Sequence, residues 1–386
     1  MSDAAPASAR SRPPIRVGII GANPNRGWGT SAHLPALREL DEYEVTAVAT
    51  SHLDTARATA KAFDVPLAFA DGAELIARPE VDLVAITVKV PDHDRLIRDA
   101  LAAGKHVFSE WPLGVDLAQA QALADLARDS GVHHLVGLQG YHAPGALFVR
   151  ELIERGAIGR PVAISVVSAG GPAGRRIPQA NVYATDAAAG ATVLSISAGH
   201  ILATVTRAVG NLRRVSAVVA SVNRETTVVE TGQTIPVSAP DQVVVVGQLD
   251  SEAVAAITVQ GGAAPAAPGF EVRVVGTEAT LTIRPRTPGG IHIVEWAISI
   301  AKTDSSSEEL AVPEGMSPVP ATVPAGPPRN VAALYVELAR AMADNRPAAP
   351  DFAEAVAYHR LLATIQRASD TGVRQDVDGG EPLVGR

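Results

Sequence analysis

The chain contains no cysteine. Disulfides, thiolate nucleophiles and thiolate metal centres are therefore excluded together, and the composition suits a reducing cytoplasm. It also lacks a surplus of positive charge: 33 Lys and Arg face 41 Asp and Glu, a net −8 at pH 7. A general binder of nucleic acid or of membrane surfaces would need the opposite balance. Long apolar runs are missing as well. Val81–Val88 carries Asp82 inside it, and no run approaches the roughly 20 residues a spanning helix requires. The opening MSDAAPASARSRPP has no apolar centre of the signal-peptide kind, so residues 1–14 are expected to form a disordered tail. GxSxG and HExxH motifs are absent, and no carboxylate–histidine cluster has metal spacing. His133 and His134 are adjacent on a predicted strand, point to opposite faces and cannot share one metal.

What is present divides in two. A length of 386 residues with 47% hydrophobic content suggests two domains with sizeable cores. From Ile15 to Gly140 short apolar runs (15–20, 43–50, 81–88, 106–109, 133–138) alternate with helical patterns at about 31–40, 53–63, 72–78, 92–103 and 116–130. Continuous Val/Ile/Leu runs mark strands buried on both faces, and their alternation with helices marks a doubly wound parallel sheet. Gly104 and Gly131 fall where left-handed helix caps are wanted. After a helix at about 144–155 and a strand near 162–168 comes a Gly/Pro/Arg-rich stretch, 170–179, then a helical segment, 191–209. Runs at 214–222, 241–249, 253–260, 270–276, 280–285 and 291–297 follow one another without helices, which suggests a large, mostly antiparallel open sheet. A loop is expected over 303–328, then helices at about 329–343 and 352–369. The fold class is thus α/β: a dinucleotide-binding Rossmann domain over 15–140 and an α+β substrate and oligomerisation domain over 141–375. The closing helix should pack near the first domain, and 376–386 should form a tail.

The first strand runs into Gly18-Ile-Ile-Gly21-Ala-Asn23-Pro-Asn25-Arg26-Gly27-Trp28-Gly29. A glycine-rich turn between strand and helix lets the backbone approach a pyrophosphate. The GxGxxG spacing is not met, since Asn23 stands where the second glycine would be. An acidic residue at the end of the second strand normally holds the ribose hydroxyls of NAD. Here that strand ends Thr50-Ser51-His52, with no carboxylate before Asp54. This leans toward NADP over NAD; the alternative is that Ser51 only caps the next helix.

His93, the run Ala103-Gly104-Lys105-His106-Val107, Glu110 and Pro112 match in register the signature TPxxxH…AGKHVxxEKP. The chain therefore resembles the Gfo/Idh/MocA oxidoreductase family, and the segment 352–377 resembles that family's closing helix. The resemblance implies action on sugars, polyols or related carbonyl compounds. It also implies dinucleotide contacts at Gly21, Asn23, Asn25, Arg26, Gly27, Trp28, Ser51, His52, Val88, Val90, His93, Glu110, Trp111 and Gln139. The departures are equally specific. The family's catalytic Lys is replaced by Trp111, and its usual Asp by Ile196, while the acid/base position His200 is kept. Gly27-Trp28, Glu110-Trp111 and Leu138-Gln139-Gly140 fit a subgroup similar to the fungal galactose-pathway corepressor.

Lys89, at the carboxyl end of the fourth strand, stands near the crevice where such sheets bind ligands. It is the candidate to replace the missing ammonium, with a solvated strand-end lysine as the alternative. His200 is the candidate proton carrier, and Tyr141, His142, Arg176 and Tyr183 are candidate substrate contacts. Three functions remain open: an NAD(P)-dependent oxidoreductase, a catalytically silent dinucleotide-binding regulator, and an enzyme using held cofactor for a net non-redox reaction. A cytoplasmic homo-oligomer, at least a dimer, is expected, with a small-molecule substrate and neither membrane nor direct nucleic-acid contact.

Overall fold

The computed structural model describes residues 13–170, 173–262, 269–302 and 306–377. The expected tail before Ile15 and the chain beyond 377 lie essentially outside these residues. The first sheet has six parallel strands: β1 Ile15–Ile20, β2 Tyr43–Ala49, β3 Leu67–Phe69, β4 Leu83–Ile86, β5 His106–Glu110 and β6 His134–Gly137. Their order is β3-β2-β1-β4-β5-β6. Strand β3, three residues at the sheet edge, is too short to show as a run in the sequence. Successive side chains enter opposite cores: Val17, Ile19, Leu83, Ala85 and Phe108 one, Ile20, Val84, Ile86 and Val107 the other.

A π-helical turn, Gly29–His33, leads into α1, Leu34–Leu37, so the first helix is shorter than expected. It is followed by α2 Leu53–Phe63, α3 Gly72–Ile76, α4 His93–Ala102 and α5 Leu117–Ser130. Gly104 and Gly131 adopt φ of +67° and +68°, the left-handed values that end α4 and α5.

The second half contains α6 Pro144–Glu154, β7 Pro161–Ala169, β8 Arg176–Ile177 and α7 Gly199–Val209, then β9 Leu212–Ala220, β10 Glu225–Val228 and β11 Thr234–Pro236. After these come β12 Gln242–Leu249, β13 Val254–Gln260, β14 Phe270–Gly276, β15 Ala279–Pro285, β16 Trp296–Lys302 and β17 Glu308–Leu310. Helices α8 Pro327–Asp344 and α9 Phe352–Thr371 and strand β18 Gln375–Asp376 end the described chain. Nine strands form a sheet in the order β17-β16-β15-β14-β7-β13-β12-β9-β18, antiparallel except where β7 meets β13. The run expected as a strand over 291–297 is instead a turn as far as Glu295, and β16 starts at Trp296. β17 interrupts the loop expected over 303–328. β8, β10 and β11 form a small separate sheet.

Two returns of the chain position the site. α8 comes back to the first sheet, where Val331, Leu334, Tyr335 and Leu338 pack on the face that carries Val17, Leu83, Phe108 and Leu135. On that face α8 lies against β6 and α1. α7 starts against the carboxyl edge of the same sheet. A Cβ on Gly140, just beyond β6, would lie 1.9 Å from Thr204 Oγ1 of α7. The stretch Ala187–Val209 is long and apolar enough to cross a membrane by length and composition alone, but 72% of its most apolar window is buried inside the protein. It is the core helix of the second domain.

Candidate functional site

The turn after β1 is built so that only glycine fits. Gly21 has φ +104°, and a Cβ there would meet the carbonyl oxygen of Thr87 at 2.8 Å. Gly27 has φ +99°, and a Cβ on Gly29 would meet Thr87 Oγ1 at 2.8 Å. Asn23 organises the turn: its side chain accepts from Asn25 N, and its carbonyl accepts from Thr30 Oγ1 at 2.7 Å. Asn25 and Arg26 are exposed at its tip. At the end of β2, Ser51 and His52 are exposed, and Thr50 Oγ1 donates to the His52 carbonyl. The first carboxylate after β2, Asp54, lies in the first turn of α2.

At the end of β5 the Glu110 carboxylate is clasped from two sides. His33 Nε2 donates to Oε1 at 2.9 Å, and Gln139 Nε2 donates to Oε2 at 2.7 Å. The other His33 nitrogen, Nδ1, accepts from the Tyr335 hydroxyl at 2.8 Å. Because a carboxylate only accepts, this chain of partners fixes the His33 tautomer with its hydrogen on Nε2. Val88 and Val90 flank Lys89 just past β4, with Val90 buried. His93 is buried beneath them, its Nδ1 2.9 Å from the Pro112 carbonyl and its Nε2 3.1 Å from that of Val88. Burial lowers its pKa. His93 thus ties the β4 exit to the β5 exit, and its ring is spent inside the protein.

Several expected ligand contacts are likewise engaged internally. Trp111 is 5% exposed, so it belongs to the core and is not an open pocket wall. Its Nε1 donates to the Ser195 carbonyl at 2.8 Å, its ring packs 4.7 Å from that of His359, and a Cβ on Gly199 would come within 2.6 Å of it. The Tyr141 hydroxyl donates to Glu354 Oε1 at 2.6 Å, and Arg207 lies over the Tyr141 ring. His142 Nε2 meets the Ala349 carbonyl at 2.6 Å. Tyr141 and His142 therefore fasten the turn after β6 to the closing helices rather than facing an open cleft. Arg176 sits exposed in β8, on the small sheet.

Two groupings remain at the carboxyl edge. Lys89 is exposed, with Nζ 4.7 Å from the ring centre of half-buried Tyr183, which brings two expected site residues together across the seam between the halves. Burial pushes the Tyr183 hydroxyl pKa up. His200, 5% exposed, stacks on His292 with ring centres 3.8 Å apart and planes at 3°. Its Nδ1 is buried and has no hydrogen-bond partner among the described residues. Burial, with the neighbouring His292, holds its pKa well below the usual histidine value. Nothing in the sequence marked His292. It reaches His200 from the turn that replaced an expected strand, and Asn330 of α8 donates to its carbonyl at 2.8 Å.

The residues fit a dinucleotide. Gly21 and Gly29 leave no room for a side chain, and among the described residues two buried polar atoms of complementary kind at this edge have no hydrogen-bond partner, the donor Trp28 Nε1 and the acceptor Gln139 Oε1.

Residues 15–138 match the family described as "Oxidoreductase family, NAD-binding Rossmann fold" (GFO_IDH_MocA), and residues 144–285 match the C-terminal domain of Gal80p. The chain is similar to dehydrogenase aclE of Aspergillus oryzae, 34% identical over 194 residues, or 49% of this chain and 53% of that protein. It is also similar to the galactose/lactose metabolism regulatory protein GAL80 of Saccharomyces cerevisiae, 28% identical over 199 residues, 49% of this chain and 46% of that one. The chain thus spans about half the length of the curated relatives it matches. Among solved structures, levoglucosan dehydrogenase in complex with NADH and L-sorbose shares the fold, with TM-score 0.82 and 20% identity over 94% of this chain and 99% of that one.

The buried histidines and Glu354 predict how stability depends on pH. Burial lowers His359 to about 4 and His292 to about 3. A depressed histidine contributes stability that is present above its unfolded value, about 6.5, and is lost as pH falls toward the folded value. For His359 the full effect is about 3 kcal/mol. Glu354 acts in reverse: burial raises it to about 7. Its contribution is present below about 4.5 and is lost as pH rises to 7, so it offsets part of the histidines' gain over the same range. The two histidines outweigh the one carboxyl, so the thermal unfolding midpoint should rise from pH 5 to about 7 and then level off. His359→Gln should flatten that rise and Glu354→Gln should steepen it. A midpoint constant from pH 5 to 8 would contradict this.

Proposed function

Because the chain belongs to the Gfo/Idh/MocA oxidoreductase family, in its Gal80-like subgroup, we propose that it is an NAD(P)-dependent oxidoreductase. Its substrate would be a sugar, polyol or related small molecule, changed at a carbinol or carbonyl carbon. The bound cofactor supplies or takes up the hydride. The chain must supply the rest: orientation, exclusion of water, and a route for the proton on the substrate oxygen.

The observation that carries this reading is the Lys89–Tyr183 pair. Trp111 cannot exchange a proton, since an indole N–H has no basic lone pair and this one is committed to Ser195. Lys89 places a cation at the same sheet edge, where it stabilises negative charge developing on a substrate oxygen. Tyr183 adds a phenolic hydroxyl beside it. His200, held well below the usual histidine pKa by burial, is the candidate proton acceptor. A second reading, a cofactor-binding regulator without turnover, is favoured by that same buried Trp111 and by the likeness to GAL80.

NADP is the preferred cofactor in this proposal. Ser51 and His52 leave room and hydrogen-bonding groups for a 2′-phosphate, where a carboxylate would repel it. A cytoplasmic location belongs to the same reading. So does a homo-oligomer through the uncovered face of the nine-stranded sheet, where Val167, Val218, Val244, Val246 and Val254 are all exposed. In the pairing register Val218, Val244, Thr258 and Val167 form one row across four strands, a contiguous patch that a second copy would cover.

Calorimetry should find NADPH bound more tightly than NADH, with the order reversed in Ser51→Asp. Equal affinities would remove the 2′-phosphate assignment, and failure of both to bind would remove the function. On a panel of sugars and polyols followed at the reduced-cofactor absorbance, His200→Ala should lower turnover by roughly 10²–10⁴ while sparing cofactor affinity. Lys89→Met should also lower it. Cofactor binding without turnover on any of them favours the regulator. Sedimentation should give at least a dimer at micromolar concentration, and Val244→Glu should yield monomers; a wild-type monomer would refute the assembly.

A further inference from the structure

Three consecutive carbonyls hold the turn that carries His292. That of Gly290 accepts from the Ile293 amide at 3.0 Å, that of Ile291 from Trp296 Nε1 at 2.9 Å, and that of His292 from Asn330 Nδ2 at 2.8 Å. Trp296 and Asn330 are themselves buried. The ring is backed by the chain as well, since a Cβ on Gly290 would lie 2.8 Å from His292 Cε1. This half-buried imidazole is therefore fixed, and its face meets the His200 ring, parallel to within 3° at 3.8 Å.

His200 is pinned from its own side. A Cβ on Gly199 would come within 2.6 Å of the Trp111 indole, and Thr204 Oγ1, one turn further on, donates to the His200 carbonyl at 2.7 Å. Because Nδ1 is enclosed, proton exchange with a substrate oxygen falls to Nε2. A face-to-face stack cannot pass a proton between its rings, because N–H bonds and nitrogen lone pairs lie in the ring planes. Two buried rings this close also resist carrying a charge each. His292 is thus neither a relay nor a second base. What it can do is fix the plane in which Nε2 points and keep water off one face of His200.

We propose that His292 is the positioning residue of His200, a fixed plate that sets the plane of that ring and shields its face, so that Nε2 meets the substrate oxygen from one dry direction. The inference rests on His200 being the proton acceptor of the proposed function. In the oxidative direction the substrate O–H bond breaks toward Nε2, its electron pair forms the C=O bond, and the carbinol C–H pair leaves for the cofactor. Without the plate, water reaches the ring, His200 holds a proton nearer neutral pH, and that step is blocked.

Other charges around the stack are engaged elsewhere. On α6, Arg150 pairs with Glu154 and Glu151 with Arg155. Arg207 of α7 lies over Tyr141, whose hydroxyl meets Glu354 of α9, and His359 of α9 packs on Trp111. Arg329 of α8 donates to the carbonyls of Ala321 and Val323, and Glu295, from the turn itself, is exposed. Among the described residues His292 is the one titratable group that acts on His200.

The ring signals of nitrogen-labelled histidine, followed against pH in the full chain without substrate, test this apart from turnover. Wild type and His292→Phe, which keeps a ring on that face, should hold His200 unprotonated down to about pH 5. His292→Ala should raise its titration midpoint by about one pH unit or more, a tenfold gain in proton affinity. His292→Gln replaces the alanine variant should that chain not fold. On any substrate the wild type turns over, the acid limb of kcat/KM should move in the same order, with NADPH affinity unchanged. The proposal is overturned if wild-type His200 titrates near about 6.5, if the variant without a ring titrates as wild type does, or if His292→Phe shifts as far as that variant. A wild type without turnover whose variants titrate as expected would remove the oxidoreductase reading and leave the pairing of His292 with His200 standing.

Discussion

The Glu110 carboxylate, held between His33 and Gln139, is the constraint on which the site depends. A charge this enclosed is costly unless both oxygens are bonded, and each partner comes from a distant part of the chain. His33 belongs to the turn after β1, and Gln139 to the turn after β6. Through the Tyr335 hydroxyl the same chain of bonds reaches α8, and Tyr43 in β2 donates to the Tyr335 backbone carbonyl at 2.7 Å. One anion therefore sets the spacing of the strand ends that form the crevice. Removing any partner would leave a buried polar group unmatched.

The neighbouring residue explains how the two halves are joined. Trp111 follows Glu110 directly, yet its ring is inserted between the segment before α7 and the middle of α9. Gly199 permits this approach because it has no Cβ to collide with the indole. Position 111 therefore carries packing and no charge. Lys89, one strand over, is exposed beside Tyr183.

Much of this architecture was legible in the sequence because it rests on local periodicity. The parallel strands, the glycine turn and the caps at Gly104 and Gly131 follow from patterns within a few residues, and the structure places them as expected. What escaped depends on long-range pairing. Nothing near residue 335 signals that its hydroxyl meets His33, and the apolar spacing of 291–297 reads as a strand although a turn there carries His292 to His200. Tyr141 and His142 have the chemistry of ligand contacts, but α9 and the loop before it return far along the chain and take up their polar atoms. A residue's type was readable; its partner was not.

The proposed function stands on Lys89 beside Tyr183, not position 111, supplying the cation at the reacting edge. A crystal structure with NADPH bound tests this most directly, through the surroundings of the nicotinamide ring. The account predicts the ring between the Val88–Val90 edge and Tyr183, with Lys89 Nζ nearer its C4 than any atom of Trp111. A ring lying against Trp111, with Lys89 turned into solvent away from Tyr183, would contradict it.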